Sequence, residues 1–240
     1  MIKLFTCLFL VSINLLISAE ESSKPLVFDD KNFEVFLDKK RSPLSSLKDY
    51  FSIEDGVLHV YPNADKNDRP NFILVSKKSY EKYTLSFDFK WGKLNEHLDP
   101  KKITAGIYLH AFEDPLNLDK KYFPKSIECK LLQGKEGMGW IVGVESKVIV
   151  SGAKKFKGDK GSFVKGRVDI PKGVSGFEKW HKVEILVNKD KCSFLVNGKT
   201  TLSFSEIRTT DKESIQNGRF AFGFEGAEML LKNIHLRVVE

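Results

Sequence analysis

In the segment Ser126-Ile-Glu-Cys-Lys-Leu131 a carboxylate and an ammonium stand two residues apart, at Glu128 and Lys130. Side chains at that spacing leave the same side of an extended strand, so the pair shares one surface. A second pair, Tyr108 and His110, lies in Ile103-Thr-Ala-Gly-Ile-Tyr-Leu-His110. There Ile103, Ala105, Ile107 and Leu109 are the inward positions, and Thr104, Gly106, Tyr108 and His110 face the other way. Consecutive strands are often spatial neighbours, which would gather Tyr108, His110, Glu128 and Lys130 on one surface. Together they offer an aromatic platform for a sugar ring, a carboxylate base and two cations or proton donors. A chance grouping on a convex, water-facing sheet is the alternative, and the residues alone leave both open.

The patterns that are missing narrow the chemistry. Two-carboxylate glycoside hydrolysis needs a pair of acids flanking one bond. Glu128 is followed two residues on by Lys130, and the Glu-x-Asp-x-Glu pattern of laminarinase-type sandwiches is absent. There is no Gly-x-Ser-x-Gly elbow, His-Glu-x-x-His helix or phosphate-binding loop. His59 and His235 alternate with apolar strand residues and read as surface positions, His97 falls in a loop, and His181 follows Trp180 at the start of a strand. A single carboxylate fits proton abstraction better than two-carboxylate hydrolysis. No metal-ligand spacing is present, and the residues point to no particular cofactor or oligomeric state.

The elements that must hold these groups are strands. In Tyr83-Thr-Leu-Ser-Phe-Asp-Phe-Lys-Trp91 every odd position is large and apolar or aromatic, and every even one is small or polar. The same alternation recurs over 182–187, 192–196, 219–224 and 234–238, and no segment sustains a 3.6-residue apolar period. Asn197-Gly198 marks a hairpin, because both central turn positions favour φ > 0. Many short strands separated by Gly, Asn, Asp and Pro turns predict an all-β sandwich or barrel, with a jelly roll the expected form. Three stretches, 94–102, 113–125 and 152–178, read as long loops. The last is rich in Lys and Gly, and reads as a solvated loop or as a lid that contacts anions.

Residues 1–19 carry the features of a secretory signal peptide. Lys3 precedes an apolar run over 4–17, and Ser18-Ala19 supplies small residues for cleavage after Ala19. The run is shorter than the ~20 residues needed to span a bilayer. Cleavage leaves residues 20–240 as one domain, secreted or periplasmic, with no membrane span. Its net charge would be +6, one less than the +7 of the whole chain, since Lys3 is the only charge removed. Lys outnumbers Arg by 33 to 6, whereas specific nucleic-acid readers lean on Arg, so a solvated surface is the expected reading and nucleic acid is not an expected partner. Only Cys129 and Cys192 remain after cleavage. They could pair in an oxidising compartment, or stay as two separate core thiols.

Several segments in order resemble the 3-keto-disaccharide hydrolase family. They are Asp55-Gly56-Val57-Leu58, Tyr80-Glu-Lys-Tyr83-Thr-Leu-Ser-Phe-Asp-Phe, Ala105-Gly106-Ile107-Tyr108-Leu109 and Ile127-Glu128-Cys-Lys-Leu-Leu-Gln133. Glu178-Lys-Trp180-His-Lys-Val, Val196-Asn197-Gly198, Gly218-Arg-Phe-Ala-Phe and Leu231-Lys-Asn233-Ile234-His-Leu continue the match. The resemblance implies a concanavalin A-like jelly-roll β-sandwich and a 3-keto-glucoside lyase, hydrolase or 3-keto-2-hydroxy-glucal hydratase acting on an oxidised glucoside. It makes Glu128 the expected base, with Tyr108 or His110 assisting the leaving group and Lys130 stabilising an enolate. Substrate contacts are expected from Tyr108, Thr104, Gln133 and Trp140. Lys130 stands where the family has Gln, Gln133 where it has Asp, and Thr104-Ala105-Gly106 where it has Asn-Ser-Gly. These departures leave a non-catalytic carbohydrate-binding module as the alternative, and an adhesion or scaffold domain as a third reading.

Overall fold

The computed structural model describes residues 23–37, 40–62, 69–96, 98, 103–111, 124, 126–132, 140–144, 149–151, 179–208 and 213–239. The proposed leader, the loop over 152–178 and Gln133 lie outside them. In chain order the strands are β1 (Lys24–Pro25), β2 (Phe33–Leu37), β3 (Lys40–Ser42), β4 (Phe51–Glu54), β5 (Val57–Val60) and β6 (Phe72–Ser76). Next come β7 (Lys82–Trp91), β8 (Thr104–Ala111), β9 (Ser126–Leu132), β10 (Trp140–Val144) and β11 (Ile149–Ser151). The last are β12 (His181–Asn188), β13 (Lys191–Val196), β14 (Lys199–Arg208), β15 (Arg219–Phe224) and β16 (Met229–Val238).

These strands form two antiparallel sheets, a jelly-roll sandwich as the alternation predicts. One runs β11-β14-β13-β12-β7-β16-β5-β4, with β1 also on β16; the other runs β10-β9-β8-β15-β6-β2-β3. β7 shows why the layers meet. Tyr83, Leu85, Phe87, Phe89 and Trp91 are all buried and the intervening residues only partly so. The sheets are joined by aromatic contacts such as Phe87 edge-on to Phe222 and Tyr83 with Phe220, a geometry favoured by the ring quadrupole. Asn197 and Gly198 both have positive φ (50° and 74°) and close the β13–β14 hairpin. Cys129 on β9 and Cys192 on β13 are buried in the shared core as free thiols.

The alternative of a water-facing surface does not hold for β8. The face of β8 turned away from the core is not water-facing: all eight residues of β8 are buried, as are all five of β6. A second apolar cluster of Phe36, Ile73, Val75, Tyr108 and Ala221 covers that face of the seven-stranded sheet. By contrast, β12 in the other sheet alternates between buried and exposed or partly exposed. His59, read from its spacing as a surface position, is partly buried and its Nε2 lies 2.8 Å from Glu228 Oε1. Glu228 also accepts the Leu94 N–H at 2.7 Å, so the pair anchors the turn after β7. Among the described residues, no helix is long and apolar enough to cross a membrane.

Candidate functional site

The carboxylate–lysine pair sits on β9, beside the edge strand β10 of the seven-stranded sheet. Antiparallel pairing sets Tyr108 opposite Glu128, Gly106 opposite Lys130, and Gly106 opposite Gly223 on the far side of β8. Paired residues share a face, so β9, β8 and β15 present one surface. Lys130 Nζ lies 3.6 Å from Glu128 Oε1 and 3.6 Å from Glu225 Oε1. Glu225 follows β15 directly, and it is the group that strand-by-strand reading misses. Its partners come from β9, two strands away, and only the order β9-β8-β15 joins them.

Two glycines make the site possible. A Cβ at Gly106 would lie 2.6 Å from Glu128 Oε1 and 3.0 Å from Tyr108 Cε2. A Cβ at Gly223 would lie 2.4 Å from Tyr108 Cε2. Real side chains do not approach so closely, so the carboxylate and the phenol ring lie flat on bare backbone. Tyr108 hydrogen-bonds the Glu128 carboxylate from that position.

Burial dominates the electrostatics. Glu128 is 4% exposed, and loss of water pushes its pKa up to about 7. The Lys130 charge opposes that rise, Glu225 adds to it, and the Tyr108 hydrogen bond opposes it again. Tyr108, 1% exposed, is driven well above the usual phenol range by burial first and by the two glutamates next, so it keeps its proton. Among the described residues Glu128 Oε1 has no hydrogen-bond partner, the ammonium being slightly too far, and the buried Thr104 hydroxyl lacks one as well. Unpaired buried polar atoms carry a penalty that a bound hydroxylated ligand would relieve. The Lys130 and Glu225 side chains retain 23% and 22% of their exposure, which gives the cluster its open side.

His110 does not join this group. Arg219 pairs with Ala111 and Ala221 with Tyr108, so Leu109 and His110 together oppose Phe220. This β-bulge breaks the alternation on which the sequence expectation rested. His110 has φ 51° and packs its backbone against Gly218, where a Cβ would lie 2.6 Å from its Cα. Its ring is buried near Lys189 and Asp190, at the β12–β13 turn of the opposite sheet, and near Asn217, just before β15. Burial lowers its pKa to about 4, against weaker favourable contacts from the Asn217 and Lys189 backbone, and among the described residues neither nitrogen completes a well-formed hydrogen bond. It is a neutral packing residue.

Of the expected substrate contacts, Thr104 and Tyr108 share the face of Glu128. Trp140 begins β10 with its Cα opposite Lys130. Gln133 lies outside the described residues. No group of three or more His, Cys, Asp or Glu is placed to hold a metal ion among the described residues.

The family model for the 3-keto-alpha-glucoside-1,2-lyase-like domain matches residues 25–237. A comparison with curated proteins finds no sequence match. Solved structures share the fold at low identity. A protein of Parabacteroides distasonis ATCC 8503 assigned provisionally to the glycosyl hydrolases is 17% identical, covering 91% of this chain and 100% of its own, with a TM-score of 0.54. The carbohydrate-binding module CBM66 of Bacillus subtilis is 7% identical over 88% and 99%, at 0.52. The alginate lyase Aly36B, solved with an alginate tetrasaccharide, is 14% identical over 91% and 98%, at 0.51.

Proposed function

The chain belongs to the 3-keto-alpha-glucoside-1,2-lyase-like domain family, a carbohydrate-active class, and from that premise we propose that it cleaves 3-keto-glycosides by elimination followed by hydration. The observation that carries the reading is a buried carboxylate beside one ammonium, with a pKa near neutrality. A general base works best when its pKa lies near the working pH.

A ketone at C3 acidifies the C2 proton. Glu128 removes that proton, and the C2–H electron pair moves toward C3 to give an enolate. The Lys130 ammonium stabilises the negative oxygen, a role electrostatics favours in a site with little water. Collapse of the enolate re-forms the C3 carbonyl, makes the C1–C2 double bond and breaks the bond to the leaving oxygen. Tyr108 gives that oxygen its proton and recovers one from Glu128 through their hydrogen bond, which returns the carboxylate. Water then adds at C1 and a proton at C2, so that the net change is hydrolysis. The unpaired Thr104 hydroxyl is suited to a sugar hydroxyl. Glu225 holds Lys130 from the other side and is a positioning residue.

The reading extends to location. A leader over residues 1–19, cleaved after Ala19, would export residues 20–240 as one domain to meet an oxidised glucoside or oligosaccharide outside the cytoplasm. Support for this is the charge and apolar pattern of the N-terminus.

Turnover of 3-keto-trehalose in deuterated water tests the reaction type. Elimination and hydration place deuterium at C2 of the released sugar, whereas direct displacement at C1 leaves C2 unlabelled. Tight binding of the sugar with no turnover would instead make the protein a carbohydrate-binding module.

A further inference from the structure

The nine-stranded sheet carries, on the face turned away from the core, an aromatic ring and two ammoniums that the proposed sugar chemistry leaves unused. Lys90 lies near the end of β7, Lys232 on β16, and Trp180 immediately before β12. β12 and β16 flank β7. His181 pairs with Phe89, so Trp180 falls opposite Lys90, one step beyond the β12–β7 ladder. All three residues are partly buried. Lys232 Nζ lies 4.2 Å and Lys90 Nζ 5.1 Å from the centre of the indole ring system. An ammonium within about 6 Å of an aromatic face is held there by the ring quadrupole.

The charges on this surface do not balance. Two like charges share one ring, and among the described residues neither ammonium pairs with a carboxylate. The acids in the adjoining rows are engaged elsewhere. Asp88 stands opposite both Lys182 and Lys232, but its Oδ2 accepts the Asn233 side-chain N–H at 2.7 Å. Glu184 lies 3.2 Å from Lys182 Nζ. We infer that Trp180, Lys90 and Lys232 form a second carbohydrate site, on the sheet opposite Glu128, for an acidic polysaccharide with one carboxylate per sugar. A uronate carboxylate at the two ammoniums relieves their repulsion through charge-assisted hydrogen bonds. The indole surface left open receives the apolar C–H face of the pyranose ring. Ammoniums already held against a ring lose little freedom on binding. Asp88 and Glu184 select against denser polyanions, because a nucleic-acid backbone or a phospholipid surface laid here would bring its charges against theirs. Glu128 lies on the other sheet, so polymer binding does not compete with catalysis there, and the inference stands whether or not Glu128 is a base.

The full chain is titrated with polygalacturonate at low salt, with uncharged dextran, duplex DNA and phosphatidylserine vesicles as comparisons. Polygalacturonate is expected to bind and dextran not to, and added salt should weaken the complex. Lys90→Met together with Lys232→Met should lower the affinity by on the order of tenfold. Lys90→Arg together with Lys232→Arg should preserve it, since charge and ring contact both survive. Lys31→Met together with Lys48→Met removes two exposed lysines outside this sheet, changes the net charge equally and should leave the affinity near the parental value. Thermal melts check that each variant is folded. Absence of polygalacturonate binding by the parent would overturn the inference, as would a preference for DNA or vesicles. So would parental affinity in the Lys90 and Lys232 methionine variant, or an equal loss in the Lys31 and Lys48 variant.

Discussion

At neutral pH Glu128 stands near the midpoint of its own titration, because burial has moved its pKa to about 7. The base form is the ionised one, so kcat/KM should climb with pH and level off above about 7. The neighbours set where the climb occurs. Glu225 raises the pKa and Lys130 lowers it, so Glu225→Gln should move the limb to lower pH and Lys130→Met to higher pH. A pH–rate profile of each variant measures this, and shifts in the opposite sense would refute the electrostatic account. The same titration is a stability statement. Folded Glu128 keeps its proton between about 4.5 and 7 while the unfolded chain loses it, so the unfolded state binds fewer protons and stability falls across that window. A rise of this size corresponds to about 3 kcal/mol by the top of the window. Glu128→Gln should therefore raise Tm relative to the parent, by more at pH 8 than at pH 5. His110 predicts the contrary pattern: with its ring in the core, His110→Ala should cost stability and leave the shape of the pH–rate limb intact.

Among the elements, β8 and β15 carry the site because glycines keep their shared surface bare. Gly223→Ala would drive a methyl into the Tyr108 ring. Overpacking of this kind costs about 1–3 kcal/mol, and displacement of Tyr108 should lower kcat as well as Tm. Gly198→Ala is the control. It sits at φ 74° with nothing within 4 Å of the added methyl, so it should lower Tm through backbone strain alone and leave kcat unchanged. Thermal melts and turnover on the two variants check both expectations. The hairpin at Asn197-Gly198 and the inward residues of β7, β8 and β9 were legible in the sequence, because turn chemistry and period two are local signals. The pairing of β8 with β9 was legible as well, through their succession along the chain. The bulge at Leu109 and His110 was not, since one added residue leaves the apolar pattern looking regular. Glu225 was hidden for another reason: it reaches Lys130 only because β15 packs beside β8, and strand order is not written locally.

For the whole molecule, a two-sheet sandwich with both faces of one sheet buried around Tyr108 gives a low-dielectric setting for a single proton transfer. Family membership points to a carbohydrate, and in the proposed reaction the carboxylate beside Lys130 is the means of taking one proton. The central claim is that Glu128 is the base that takes the C2 proton. Glu128→Gln keeps the shape of the side chain and removes only its basicity. Turnover of 3-keto-trehalose by the folded variant, beside its binding of the same sugar, is the direct measurement. The account predicts that binding survives and the rate falls by on the order of 10²–10⁴. A variant that binds the sugar and turns it over at the parental rate would contradict it.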